Sequence, residues 1–199
     1  MEQAINSIII IGSEGRMGRS IISVISEADN FQEIVGVDPH AADHAPLTPE
    51  QLQRADVAID FSSPSGTKML LDVAAECTTP LIIGTTGLGS SLESTIRNLS
   101  TRIPIVHASN FSTGVNLLIS LVQTASRVLG DEFCPEIMEV HHKMKKDAPS
   151  GTALTLGDTL AAARGLKADN FITAREGMVG ERPCDRVGIQ ALRGGDVVG

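Results

Sequence analysis

The chain has no tryptophan, no tyrosine and only five phenylalanines among 199 residues. Proteins that grip single-stranded nucleic acid stack its bases on aromatic side chains, and this sequence offers almost none. Basic residues are in the minority, 16 Lys and Arg against 24 Asp and Glu, for a formal charge of −8. A surface of that sign repels phosphate backbones, so no nucleic-acid partner is expected. Cysteine is scarce: Cys77, Cys134 and Cys184 are widely spaced and odd in number. They make neither a disulfide framework nor a CxxC metal site, so reduced, mostly structural thiols are expected. No apolar run approaches the roughly eighteen residues of a membrane span. The opening "MEQAINSIIIIGSEGRMG" lacks the basic start and small-residue cleavage site of a signal peptide. No membrane association and a cytoplasmic location are therefore the expectations.

What is present is an ordinary globular composition, 42% hydrophobic and 20% charged, enough for one medium domain or two small ones. Short β-branched runs alternate with helical-length segments through the first half. "SIIIIG", "EIVGVD", "DVAIDF", "PLIIG" and "IPIVHA" read as five strands. The run after the first strand has helical spacing at Met17, Ile21, Ile22, Val24 and Ile25, and further helices are predicted near residues 65–77 and 90–101. The link between the second and third strands is short and Pro-rich, and no element is assigned to it. Strands apolar on both faces with helices between them mean α/β architecture, a Rossmann-type parallel sheet covered by helices.

Beyond the fifth strand the grammar changes. "STGVNLLISLVQTASRVLG" is a long amphipathic helix that Gly130 can cap. "EIMEVHH" alternates as a strand, "GTALTLGDTLAAAR" is a helix, and "FITARE" and "RVGIQALRGGDVVG" are strand-like. Residues 1–112 are read as a dinucleotide-binding domain and 113–199 as a smaller α+β domain for substrate binding and oligomerisation.

Gly12, Gly15 and Gly18 lie between the first strand and its helix. There backbone N–H groups and a helix N-terminus can face a pyrophosphate that side chains would obstruct. The spacing is GxxGxxG rather than GxGxxG, and the absence of a Lys-Ser/Thr pair excludes a Walker A loop. Asp38 ends the second strand, where an acidic group accepts from ribose hydroxyls; that favours NADH over NADPH, with His40 the one nearby group able to soften the preference. An Asp that merely opens the turn "DPH" is the alternative. Two more turns, "GTTGL" from Gly84 and "HASNFS" from His107, follow the fourth and fifth strands, at the sheet edge where open α/β sheets bind ligands.

In "EVHHKMKKDAPSGTA", a strand would place His141, Lys143 and Lys145 on one face and His142 and Met144 on the other. The basic groups converge only if the chain leaves strand geometry near His142, and Pro149 and Gly151 are loop formers that permit it. Ser150 or Thr152 can cap the next helix. The expected result is a basic pocket for one or two carboxylates. Adjacent histidines do not match HExxH and no cysteine has ligand spacing, so no metal is expected.

Together "GSEGRMG", "DVAIDFSSP", "IIGTTG", "ASNFSTGVN" and "EVHHKMKKDAPSGTA" resemble, in order, the bacterial dihydrodipicolinate reductases of lysine and diaminopimelate biosynthesis. The resemblance implies reduction of a cyclic dicarboxylic imine to tetrahydrodipicolinate with NADH or NADPH, in a homotetramer. It implies dinucleotide contacts from Gly12, Ser13, Glu14, Gly15, Arg16, Met17, Asp38, Gly84, Thr85, Thr86, Ala108, Ser109, Asn110 and Phe111. It makes His141 the proton donor or acceptor and Lys145 the proton donor, with His142, Gly151 and Thr152 holding the substrate. Two departures stand out. Glu14 puts a carboxylate in the Gly-rich turn, so it is expected to point away from the pyrophosphate. The family pattern also continues past "LRGGDVVG" with a further strand and a terminal helix that have no counterpart here. A different Rossmann oxidoreductase and a non-catalytic NADH-binding remnant are the alternative readings.

Overall fold

The computed structural model describes residues 5–28, 33–38, 46–166 and 171–199. The chain forms two compact units that meet in sequence between Ser109 and Asn110.

In the first unit, β1 (Ser7–Ile11), β2 (Glu33–Val37), β3 (Val57–Asp60), β4 (Leu81–Ile83) and β5 (Ile105–His107) form one parallel sheet in the order β2-β1-β3-β4-β5. The period of two along a strand explains how β1 can be isoleucine throughout. Ile8 and Ile10 pack on one face with Ile21, Ile22 and Ile25 of α1 (Arg16–Ser26). Ile9 and Ile11 pack on the other with Leu52 of α2 (Pro49–Arg54), Leu70, Leu71 and Ala74 of α3 (Pro64–Ala74), and Ile96 and Leu99 of α4 (Gly89–Leu99). Burial of every β1 side chain after Ser7 thus follows from helices on both faces. Two members of the predicted apolar stripe of α1 are an exception: Met17 is 50% and Val24 70% exposed. The unassigned link contains α2, started by a capping box in which the Thr48 hydroxyl accepts from Gln51 N and the Gln51 side chain accepts from Thr48 N.

The second unit opens with α5 (Thr113–Leu129), ended by Gly130 at φ 62°. It continues with β6 (Glu136–His141), α6 (Gly151–Ala163), β7 (Phe171–Ile172) and β8 (Val187–Arg193). The sheet order is β6-β8-β7, and β8 runs parallel to both neighbours. Val187 and Ile189 of β8 pack beneath Ala153, Leu160 and Ala161 of α6, with Val122 of α5 beside them. The opposite face carries Met138, Val140 and Leu192, respectively 74%, 45% and 54% exposed.

Two sequence expectations need correction here. "FITARE" is a strand for only two residues, because Arg175 turns to Glu136, with Nη1 to Oε1 at 2.7 Å, and Arg182 Nε reaches the same carboxylate at 3.0 Å. Cys134 and Cys184 are not separate thiols but a disulfide, Cα atoms 4.8 Å apart, since the approaches to β6 and β8 converge where these strands pair. Cys77 is free and buried, and burial pushes its thiol pKa up.

Candidate functional site

The Gly-rich turn follows β1 on the carboxyl edge of the first sheet, beside the place where strand order reverses between β1 and β3. Gly12 has φ +81°, and a Cβ there would stand 2.8 Å from the Phe61 carbonyl oxygen in the loop after β3. A Cβ on Gly18 would overlap the Gly12 carbonyl oxygen, so α1 can sit this close to the turn only with glycine. Gly15 is the N-cap of α1 and provides no side-chain cap, which leaves first-turn N–H groups for an anion. Gly12 N donates to Val37 O at 2.8 Å and Glu14 N to Asp38 Oδ2 at 3.1 Å, so the turn is tied to the end of β2. The Glu14 carboxylate is held by Arg19 at 2.9 Å, and both groups are exposed. Ser13 Oγ is buried and makes no hydrogen bond among the described residues. A tight turn, an uncapped helix start, an orphaned hydroxyl and an acidic group at the end of β2 fit a dinucleotide. Arg16 and Met17 are exposed on the first turn of α1, while His40 lies outside the described residues.

The next loops are positioned by packing. A Cβ on Gly84 would collide with the Phe61 ring, so the loop after β4 approaches that ring only with glycine. Thr85 is buried and its hydroxyl accepts from Ser62 N at 3.0 Å, while Thr86 is exposed. Asp60, fully buried, accepts from the Ser62 hydroxyl and from Thr67 Oγ1 and so anchors the loop after β3. Ala108 N donates to Ile83 O at 3.2 Å, and Ser109 closes the first unit. In the second unit Asn110 Oδ1 accepts from Ser112 N at 2.7 Å, its amide donates to Thr152 Oγ1 at 3.4 Å, and Phe111 is 42% exposed.

The basic cluster belongs to the second unit. β6 ends at His141, and a turn follows at Lys143 and Met144, with Lys145 N donating to His142 O at 3.1 Å. The Ala148–Pro149 peptide is cis, and Ser150 then caps α6, its hydroxyl accepting from Ala153 N at 3.2 Å. Gly151 has open space where a side chain would project. Lys145 is mostly covered and pairs with Asp147 at 2.9 Å. Lys143, by contrast, is exposed and pairs with Asp196 at 3.1 Å. The half-buried His142 ring follows His141 directly.

Two residues outside the predicted set organise this cluster. Glu139 shares the inner face of β6 with His141, and its Oε2 lies 2.5 Å from His141 Nδ1. Arg193, in register with His141 on β8, grips Glu139 with Nη1 at 2.8 Å and Nη2 at 2.9 Å. Ser150 N donates to the same carboxylate at 2.9 Å. Burial pushes the Glu139 pKa up, but the Arg193 guanidinium, the Ser150 N–H and the His141 ring outweigh it and hold it at about 2 instead of 4.5. A depressed folded-state pKa gives stability that is complete above the unfolded value and lost as pH falls through the folded one. The second unit is therefore expected to lose this contribution between pH 4.5 and about 2. Denaturant midpoints across that window check it, and Glu139→Gln should remove the corresponding part of the slope.

The family pattern "Dihydrodipicolinate reductase, N-terminus" matches residues 6–111, and "Dihydrodipicolinate reductase, C-terminus" matches residues 114–199. The chain belongs to the dihydrodipicolinate reductase family. Among its relatives in that family, the 4-hydroxy-tetrahydrodipicolinate reductase of Anaeromyxobacter sp. (strain Fw109-5) is 37% identical over 97% of this chain and 78% of its own length. The enzyme of the same name from Campylobacter jejuni subsp. jejuni serotype O:6 (strain 81116 / NCTC 11828) is 41% identical over 96% of this chain and 76% of its own. A solved dipicolinate-bound dihydrodipicolinate reductase from Paenisporosarcina sp. TG-14 shares the fold, with TM-score 0.69 over 98% of this chain and 80% of that one, at 22% identity.

For a member of this reductase family, the sequence signal that exposes Glu139 is its parity with His141 on one strand. Arg193 had no comparable signal, because its partner lies 54 residues away and depends on β6–β8 register.

Proposed function

We propose that this chain reduces the cyclic dicarboxylic imine of the dihydrodipicolinate type to tetrahydrodipicolinate, with NADH or NADPH as reductant. The observation that carries the reading is that both halves of the chain match the reductase family. The basic turn between β6 and α6 supports it from chemistry. His142, Gly151 and Thr152 are assigned to hold the substrate carboxylates, aided by the N–H groups that begin α6. Lys145 and His141 are assigned the proton that completes reduction. A bound reduced nicotinamide supplies the hydride. Cationic groups in the pocket then stabilise the charge that develops on the ring until the proton arrives.

Residues 1–112 are assigned to dinucleotide binding and 113–199 to substrate binding and assembly. Gly12 to Met17, Asp38, Gly84 to Thr86 and Ala108 to Phe111 are the proposed dinucleotide contacts; Thr85 is assigned to loop support as well, since its hydroxyl is engaged by Ser62. A homotetramer is proposed from the family resemblance; the open face with Met138, Val140 and Leu192 offers an apolar surface for association, and light scattering of the chain checks the number of copies. Among the described residues no helix is long and apolar enough to cross a membrane; cytoplasmic location is proposed from the biosynthetic role.

Imine-dependent consumption of reduced cofactor tests the reading, and a folded, NADH-binding chain with no such turnover overturns it. For cofactor choice, Asp38→Ala is expected to narrow any NADH over NADPH preference. An unchanged ratio of the two dissociation constants would show that Asp38 is not the ribose acceptor.

A further inference from the structure

Glu139 receives four donors: His141 Nδ1 and Arg193 Nη1 on Oε2, and Arg193 Nη2 and Ser150 N on Oε1. An ionised carboxylate only accepts, so the hydrogen in its contact with His141 must sit on Nδ1. The proton-exchanging atom of the neutral ring is then Nε2. With both oxygens occupied, the carboxylate is held against rotation away from the ring. Arg193 reaches further: Nη2 also donates to the Asp147 carbonyl at 2.6 Å, and the Asp147 carboxylate holds Lys145 Nζ at 2.9 Å. One guanidinium on β8 therefore braces the supports of both His141 and Lys145.

We propose that Arg193 and Glu139 are positioning residues that lock His141 as its Nδ1–H tautomer and fix the turn carrying Lys145. This rests on the reading above, in which His141 and Lys145 handle the proton. Neither positioning residue is assigned a contact with the reacting atoms. A bidentate Arg–carboxylate pair suits the task, because its planar fork sets orientation as well as charge.

The test is ¹⁵N NMR of the full chain labelled at histidine, without cofactor or substrate, with the His141 signals identified by their loss in His141→Asn. Neutral wild-type His141 should show a protonated Nδ1 and a bare Nε2. Glu139→Gln removes the acceptor-only partner, since an amide can donate as well as accept, and should release the ring to the Nε2–H form. In turnover, Glu139→Gln should lower kcat by about tenfold or more while KM changes little. Arg193→Lys keeps the charge but loses the fork, and should fall between wild type and Glu139→Gln in kcat. A wild-type ring carrying its proton on Nε2 overturns the proposal even if neither variant folds. A folded Glu139→Gln chain with wild-type tautomer and kcat also overturns it. Because the spectrum needs no turnover, a locked tautomer in an inactive chain would sink the reductase reading alone. Turnover with an unlocked ring would sink only the positioning role.

Discussion

Lys145→Ala is expected to lower turnover by roughly 10²–10⁴, the range for losing a positioned general acid, with NADH affinity little changed. The side chain is suited to a directed role: it is 22% exposed and held by Asp147 at 2.9 Å, whereas Lys143 is 63% exposed. Its loss removes a cation from the basic turn between β6 and α6 and leaves Asp147 without its lysine partner, so carboxylate binding should weaken along with kcat. Lys143→Ala is the matched control, because its partner Asp196 is 86% exposed and the pair is screened by solvent. Steady-state rates for the two variants, with NADH titrated separately, decide the matter. Wild-type rates in Lys145→Ala would falsify its assignment as proton donor.

Gly18→Ala is expected to damage dinucleotide binding through backbone geometry alone. The added Cβ would overlap the Gly12 carbonyl oxygen and stand 2.7 Å from Ser13 Cα. Both neighbours are main chain, so neither can step aside by a rotamer change. α1 must lift from the turn, moving the N–H groups proposed to face the pyrophosphate. Overpacking of this kind costs about 1–3 kcal/mol, and NADH binding should weaken by more than roughly tenfold, or about 1.4 kcal/mol. Gly114→Ala separates this clash from a general effect of removing glycine. It lies in the first turn of α5 with its nearest neighbour at 3.8 Å, so the substitution should be neutral or slightly stabilising. Unfolding midpoints and NADH titrations of both variants provide the check; equal behaviour would show that the close approach of α1 is unimportant.

The sheet of the first unit was legible because its strands are continuous apolar runs, the pattern that burial on both faces demands. The break in strand geometry at His142 was legible too, from Pro149 and Gly151 downstream. What escaped was mostly non-local. Arg193 meets Glu139 only because β8 pairs with β6 in one register, and Cys134 meets Cys184 for the same reason. A parallel pairing across 54 residues leaves no local trace in either segment. α2 is a different case: Thr48 and Gln51 form the capping-box pattern before a helix, and Pro49 suits its first position, but the link is short and Pro-rich, which leaves it without an assigned element. Thr85 is a further case: position at the sheet edge says nothing about whether a hydroxyl faces outward or toward Ser62, and here it accepts from Ser62 N.

The most direct measurement follows the transferred hydrogen. The purified chain is given NADH deuterated at both C4 positions of the nicotinamide, with the cyclic imine generated in place from pyruvate and aspartate semialdehyde by the preceding synthase, and the product is weighed by mass spectrometry. The expected product is tetrahydrodipicolinate heavier by a single deuterium, formed in step with NADH consumption and far more slowly in Lys145→Ala. NADH consumed without label reaching the product, or a folded chain that binds NADH and leaves the imine untouched, would contradict it.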